Sequence, residues 1–138
     1  DNLWLEKTIE LLKAKKFNEL DLDNLIEELE SLARRDKLAI ANLLQQVIRH
    51  ILLMEFWENE RVRNYRHWRA EIVSFRGQIN DRMTKNLYNY LTDNFDKIYE
   101  DARLYVTSKS GLDTFPDNCP YTLEKLLNKH WFPLEIED

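Results

Sequence analysis

Apolar residues recur along this chain at spacings of three and four, the pitch of an α-helix. Leu3, Leu5, Ile9, Leu12 and Phe17 predict a short amphipathic helix over about residues 2–15. Asp21 or Asp23 then offers an N-cap, and Glu27 and Glu28 follow where acids suit the positive end of a helix. Leu22, Leu25, Leu29, Leu32, Ile40, Leu43, Val47, Ile51 and Met54 fall on one stripe of a helical wheel, which predicts one uninterrupted helix over about residues 22–58. A helix of about 35 residues is roughly 50 Å long, so a bend is expected near residues 34–37.

The polar stretch 58–64 reads as a turn. A third helix is predicted over about 65–85, with Tyr65, Trp68, Ile72, Phe75, Ile79 and Met83 as its inner stripe. Residues 86–93 read as a break, and Ile98, Tyr99, Ala102, Tyr105 and Val106 mark a fourth helix over about 93–108. Gly111 is a C-cap residue, and two prolines make Leu112–Pro120 a loop. Thr122 caps a last short helix, with Tyr121 and Leu126 placed for a hydrophobic staple. Trp131, Phe132 and Pro133 are expected to fold back on the bundle, and the tail Glu135–Asp138 to fray.

The expected fold class is therefore all-α: an antiparallel helical bundle around one long helix, with a short C-terminal helix, in a single domain over residues 1–138. Composition agrees. Only two glycines and three prolines occur, and none lies before Gly77, so nothing in the first half breaks a helix. The hydrophobic share is 43% and the charged share 33%, as in a folded, water-soluble domain.

A net charge of −5 disfavours general binding of polyanions. The lone Cys119 excludes an intrachain disulfide and a cysteine zinc cluster, and fits a reducing cytoplasm. No apolar run approaches the roughly 20 residues that span a bilayer; the longest candidate, Ile48–Met54, is interrupted by Arg49 and His50. No signal peptide is visible and no membrane association is expected.

A set of motifs carries a family resemblance. Asp21-Leu-Asp-Asn-Leu-Ile-Glu-Glu-Leu-Glu-Ser-Leu32 is followed in order by His50-Ile-Leu52, His67-Trp68-Arg69, Tyr99-Glu-Asp-Ala-Arg103 and Phe115-Pro-Asp-Asn-Cys-Pro-Tyr-Thr-Leu-Glu124. Together they resemble the family called "domain of unknown function 29" over nearly the whole chain. The resemblance implies a small all-helical bacterial protein, of a kind found in many photosynthetic species. It implies no activity, so no catalytic residue is carried over. Glu55 departs from the family pattern, in which a basic residue is expected at that position.

Several polar residues fall near predicted apolar faces. Asp36 lies within the stripe of the long helix and His50 at its edge, while Arg69 and Arg76 share one shoulder of the third helix. A charge turned inward must find a partner or change ionisation. The simplest expectation is a structural ion pair of Glu28 or Asp36 with Arg69 or Arg76. The alternative for these five residues is a pocket for a small anion or polar ligand. The histidines are His50, His67 and His130, and no Glu-x-x-His spacing occurs. A core histidine with one hydrogen bond is preferred for His50, and no metal or cofactor is expected. Glycine-rich phosphate loops, His-Glu-x-x-His and Gly-x-Ser-x-Gly are also missing. Cys119 precedes a helix start but has no base beside it, so packing under the loop is preferred to catalysis.

Charge is uneven. Residues 61–85 carry Arg61, Arg63, Arg66, Arg69, Arg76, Arg82 and Lys85 against Glu71 and Asp81. Tyr65 and Trp68 interleave these bases, which resembles a nucleic-acid surface; pairing of the arginines within the fold or across a dimer is the preferred explanation. Leu38, Leu53, Phe56 and Trp57 fall off the main stripe of the long helix and predict a second apolar surface. The leading functional expectation is a non-enzymatic protein-interaction module, with homodimerisation as one form of it. Nucleic-acid association through residues 61–85 is the alternative, and a small-ligand or metal-dependent enzyme around His50 a weaker one.

Overall fold

The computed structural model describes residues 2–134. Among these residues are six α-helices and no strand, as the apolar periodicity requires. They are α1 (Asn2–Lys13), α2 (Leu22–Phe56), α3 (Glu58–Arg82), α4 (Lys85–Asp93), α5 (Phe95–Ser110) and α6 (Leu123–Leu127). A 3₁₀ turn over Phe17–Glu19 joins α1 to α2. Residues 135–138, expected to fray, lie outside the described part.

Two compact units divide the chain within α2, one up to Arg35 and the other from Asp36 on. The first unit holds α1, the 3₁₀ turn and the opening turns of α2. Lys15 takes a left-handed conformation (φ 58°) just past α1, and the Asp21 carboxylate accepts from the Asn24 amide at 3.3 Å at the start of α2. Thr8 is the one buried residue on α1, its hydroxyl donating to the Trp4 carbonyl at 2.8 Å.

The second unit holds the core. Ile40, Leu44, Val47, Ile48 and the consecutive run Ile51–Met54 of α2 are all buried. Four consecutive residues turn through about 300° of a helix, so this end of α2 is enclosed from several directions. α3 runs antiparallel to it: Trp57 stacks on Trp68 at 6.3 Å, and seven residues away in opposite directions His50 meets Phe75 at 5.5 Å. From α5, Tyr105 takes the Arg49 guanidinium over its ring at 3.6 Å. From the 112–120 loop, Phe115 packs edge-on against Phe56 at 5.9 Å. On α3 the predicted stripe is the inner face, with Trp68, Ile72 and Ile79 buried and Tyr65, Phe75 and Met83 half-buried.

Two boundaries differ from expectation. Residues 58–64 are the first turns of α3 and not a turn, because Trp57 alone makes the connection. The polar residues do helix-end work. Glu58 and Glu60 sit at the positive start of α3. Arg61 reaches back to the Met54 carbonyl (Nε, 2.8 Å) and the Glu55 carbonyl (2.7 Å), satisfying the open end of α2. Residues 86–93, expected to be a break, belong to α4. Thr84 caps it by accepting from the Leu87 amide at 3.1 Å, and Leu87 and Leu91 are buried one turn apart.

Helix ends elsewhere follow the sequence. Gly111 (φ 75°) closes α5, its amide bonding to the Thr107 carbonyl at 2.9 Å. Thr122 caps α6 by accepting from the Lys125 amide at 3.2 Å, and Tyr121 and Leu126 are buried. The fold-back of the C-terminal segment is also as expected: Trp131 meets Tyr121 at 5.4 Å.

The two glycines predict changes of opposite sign. Gly77 lies exposed inside α3 with open space where a Cβ would stand, so Gly77→Ala should stabilise by about 1 kcal/mol. Gly111→Ala also meets no clash but would force a left-handed alanine, so it should destabilise by about 1 kcal/mol. Urea unfolding of the two variants, monitored by tryptophan fluorescence, should move the midpoint in opposite directions.

Candidate functional site

The expected ion pair between helices is replaced by a different arrangement. Arg76 on α3 is only 4% exposed, and its fork goes to backbone. Nε donates to the Leu126 carbonyl at 2.7 Å, one terminal nitrogen to the Trp131 carbonyl at 2.7 Å, and the other to the Lys125 carbonyl at 3.3 Å. The Lys125 carbonyl also accepts from the Asn128 amide at 3.2 Å, and these three acceptors lie at the end of α6 and in the segment after it, so one side chain ties down a stretch with almost no secondary structure. Burial pulls its pKa from 12.5 to about 10, with the nearby Arg69 charge adding to the effect. Arg69 is exposed and lies over the Phe132 ring at 3.9 Å. Glu28 is exposed on the first half of α2, and Asp36 is half-buried further along it. Backbone carbonyls, not a carboxylate, hold Arg76: all three of its nitrogens donate to them. The placement of Arg76 on the shoulder of an apolar stripe was legible; that its partner would be backbone was not.

His50 sits against Phe75, and its Nδ1 lies 2.7 Å from the Gln46 carbonyl one turn back. This is the single hydrogen bond expected of a core histidine. Burial lowers its pKa below the ordinary value, outweighing the opposite pull of the Gln46 carbonyl. His67 and His130 are exposed. Among the described residues no three His, Cys, Asp or Glu side chains stand together as a metal site would need.

Cys119 is half-buried, its Sγ 3.4 Å from the Tyr121 carbonyl, and burial raises its pKa to about 11. A thiol held in the protonated form is a poor nucleophile. Glu55 has a structural role that the sequence did not announce. Its carboxylate accepts from the Tyr121 hydroxyl at 2.6 Å, linking the end of α2 to the residue before α6. Desolvation and this bond raise the Tyr121 pKa well above the ordinary value. Tyr99 is buried likewise and donates to the Pro116 carbonyl at 2.5 Å, its pKa pushed up to about 12.

At least three of the seven bases of segment 61–85 are engaged within the fold. Arg61 caps α2, Arg76 is buried, and Arg69 stacks on Phe132. Trp68 faces the core and Tyr65 is half-buried. Arg63, Arg66, Arg82 and Lys85 are exposed, without an exposed aromatic among 61–85 to stack on bases.

Exposed apolar surface is the most pronounced feature outside the core, and it is not where the off-stripe residues put it. Leu38 is exposed at 62%, but Leu53 is 2% exposed, and Phe56 and Trp57 are half-buried against the core. A wheel with one buried stripe misplaced these three, because the end of α2 is enclosed from several sides. Most of the exposed large apolar residues lie instead in the first unit: Leu3, Leu5, Ile9, Leu12 and Phe17, then Leu22, Ile26, Leu29 and Leu32, while Leu38, Val62, Val73, Leu104 and Tyr105 are exposed in the second. Leu22, Leu29 and Leu32 share the stripe of α2 that is core from Ile40 onward, so the predicted stripe is half bare. Two open clefts in the second unit are modest. One of about 340 Å³ is lined by Glu55, Phe56, Trp57, Glu58, Asn59, Leu112 and Thr114, and one of about 290 Å³ includes Tyr88, Asp93, Asp96 and Glu124. No helix among the described residues is long and apolar enough to cross a membrane.

A family model described as "Domain of unknown function DUF29" matches residues 1–132. No curated protein and no solved structure matches the chain.

Arg76→Met should destabilise the protein by about 2–4 kcal/mol by leaving buried carbonyls unpaired, and Arg76→Lys should recover only part of this because an ammonium lacks the fork. Urea unfolding checks the magnitude, and faster amide exchange over residues 125–131 checks the location. For His50 the native pKa lies below 6.5, so on acidification the unfolded chain takes up the proton first. Stability should fall as pH drops through and below about 6.5, and His50→Gln should flatten that part of the stability–pH curve.

Proposed function

The chain belongs to the DUF29 family, and from that premise we propose that it acts as a non-enzymatic protein-interaction module whose working surface is α1 with the first turns of α2. The observation carrying this reading is the exposure of nine large apolar side chains within residues 3–32. Single exposed apolar residues are ordinary, but nine of them spread over α1, the 3₁₀ turn and the start of α2 are a feature of surfaces that become covered. About half of each side chain is already shielded, so covering the rest is worth roughly 1 kcal/mol apiece. Their sum is of the order of the roughly 4–15 kcal/mol that association costs.

Catalysis finds less support in the same groups. Burial favours the neutral forms of His50, Cys119 and Tyr121, the first two are hydrogen-bonded to nearby backbone and Tyr121 to Glu55, and each has a packing explanation. Nucleic-acid binding finds less support because Arg61, Arg69 and Arg76 brace the fold and no exposed Phe, Trp or Tyr accompanies the other bases of 61–85. A half-buried thiol without a second cysteine suits a reducing bacterial cytoplasm.

A photo-reactive residue at the centre of the surface tests the reading. The substitution Ile26→p-benzoylphenylalanine, introduced in the native host, should give a cross-linked product on irradiation, and the same group at exposed Asn59 should give none. Absence of any product from position 26 would remove the interaction reading.

A further inference from the structure

Resting on that reading, we propose that the occupant of the surface is a second copy of this chain, with the first halves of the two α2 helices packed antiparallel. The apolar positions set the seam. Leu22 and Leu29 are seven apart, as are Leu25 and Leu32, so these four occupy the two core positions of a heptad. Leu22, Leu29 and Leu32 are exposed and Leu25 half-buried.

Charge sets the direction. From Glu19 to Glu30 the chain carries Glu19, Asp21, Asp23, Glu27, Glu28 and Glu30 and no base, and then turns basic at Arg34 and Arg35. All eight are exposed. A parallel pair would lay one acidic block along the other. An antiparallel pair lays the acidic block of one copy beside the arginines of its partner, twice over, as a two-fold interface requires. Placing the two-fold axis between Glu30 and Leu32 sets Leu29 of each copy against Leu32 of the other. Glu28 and Arg35, seven apart on the same flank of the seam, then meet across the dimer in two equivalent pairs, as like-flanking positions do in antiparallel coiled coils. Leu5, Ile9 and Leu12 on α1, spaced by four and three and exposed, give the partner more apolar surface to cover.

Sedimentation equilibrium on the intact chain and on charge-reversed variants is the test. The wild type should run as twice 16.8 kDa. Glu28→Arg and Arg35→Glu should each weaken the dimer roughly tenfold, since each turns two attractions into repulsions, and the double variant Glu28→Arg/Arg35→Glu should restore it. Both positions are exposed, so the monomer fold should survive, which circular dichroism checks. A wild type that stays monomeric at all concentrations, singles that associate like the wild type, or a double variant weaker than either single would each overturn antiparallel pairing. A monomer that still gives an Ile26 cross-link to a different protein sinks self-association alone, whereas a monomer with no cross-link sinks the interaction reading as well.

Discussion

Burial of the second half of α2 is the constraint on which the rest of this protein depends. Ile40, Leu44, Val47, Ile48 and Ile51–Met54 are removed from water on nearly every side, and no single neighbouring helix can do that. α3 covers one side through Trp68 and Phe75, α5 supplies Tyr105, and the loop before α6 supplies Phe115. Each is held by a different chemistry of contact, but all answer one requirement: a helix apolar over most of its circumference must be wrapped. The short helices and irregular C-terminal segment exist in this arrangement because a hairpin alone leaves too much of α2 bare.

Wrapping a helix with irregular chain raises a second problem, because irregular backbone brings unsatisfied carbonyls with it. Here long polar side chains meet the need. Arg76 takes the carbonyls of Lys125, Leu126 and Trp131, Arg61 takes those of Met54 and Glu55, and Tyr99 takes that of Pro116. Glu55 works in the other sense, accepting from Tyr121. Most polar groups nearest the core thus bond to backbone or to each other, the buried Arg49 Nε being an exception. That leaves the apolar face of the first unit as the surface whose chemistry is unspent.

Much of this was legible beforehand for identifiable reasons. Helix identity follows from periodicity, and the ends at Gly111 and Thr122 follow from capping chemistry that acts within four residues. The inner stripe of α3 was right because that helix is covered on one side only. Failures arose where local pattern and tertiary demand part company. Leu53, Phe56 and Trp57 look external on a wheel, and only the enclosure of α2 turns them inward. Residues 58–64 look like a loop because they are polar, yet that polarity belongs to the junction of two helices. The Arg76 clasp joins residues about fifty positions apart, and no spacing rule pairs a guanidinium with carbonyls at that range. The bare half of the α2 stripe was hidden for the same reason: periodicity marks an apolar face but not what lies against it.

The connection between α2 and α3 has a consequence for how the chain reaches its native state. With Trp57 as the only non-helical residue between two long helices, these helices meet with almost no loop to close, so their pairing loses less chain entropy than other distant contacts in the molecule. Contacts of low sequence separation form early and fast. The Trp57–Trp68 stack lies nearer the connection than the His50–Phe75 contact does. Assembly that zips from there would present the enclosed half of α2 as a template, onto which α5, the loop and the C-terminal segment condense last.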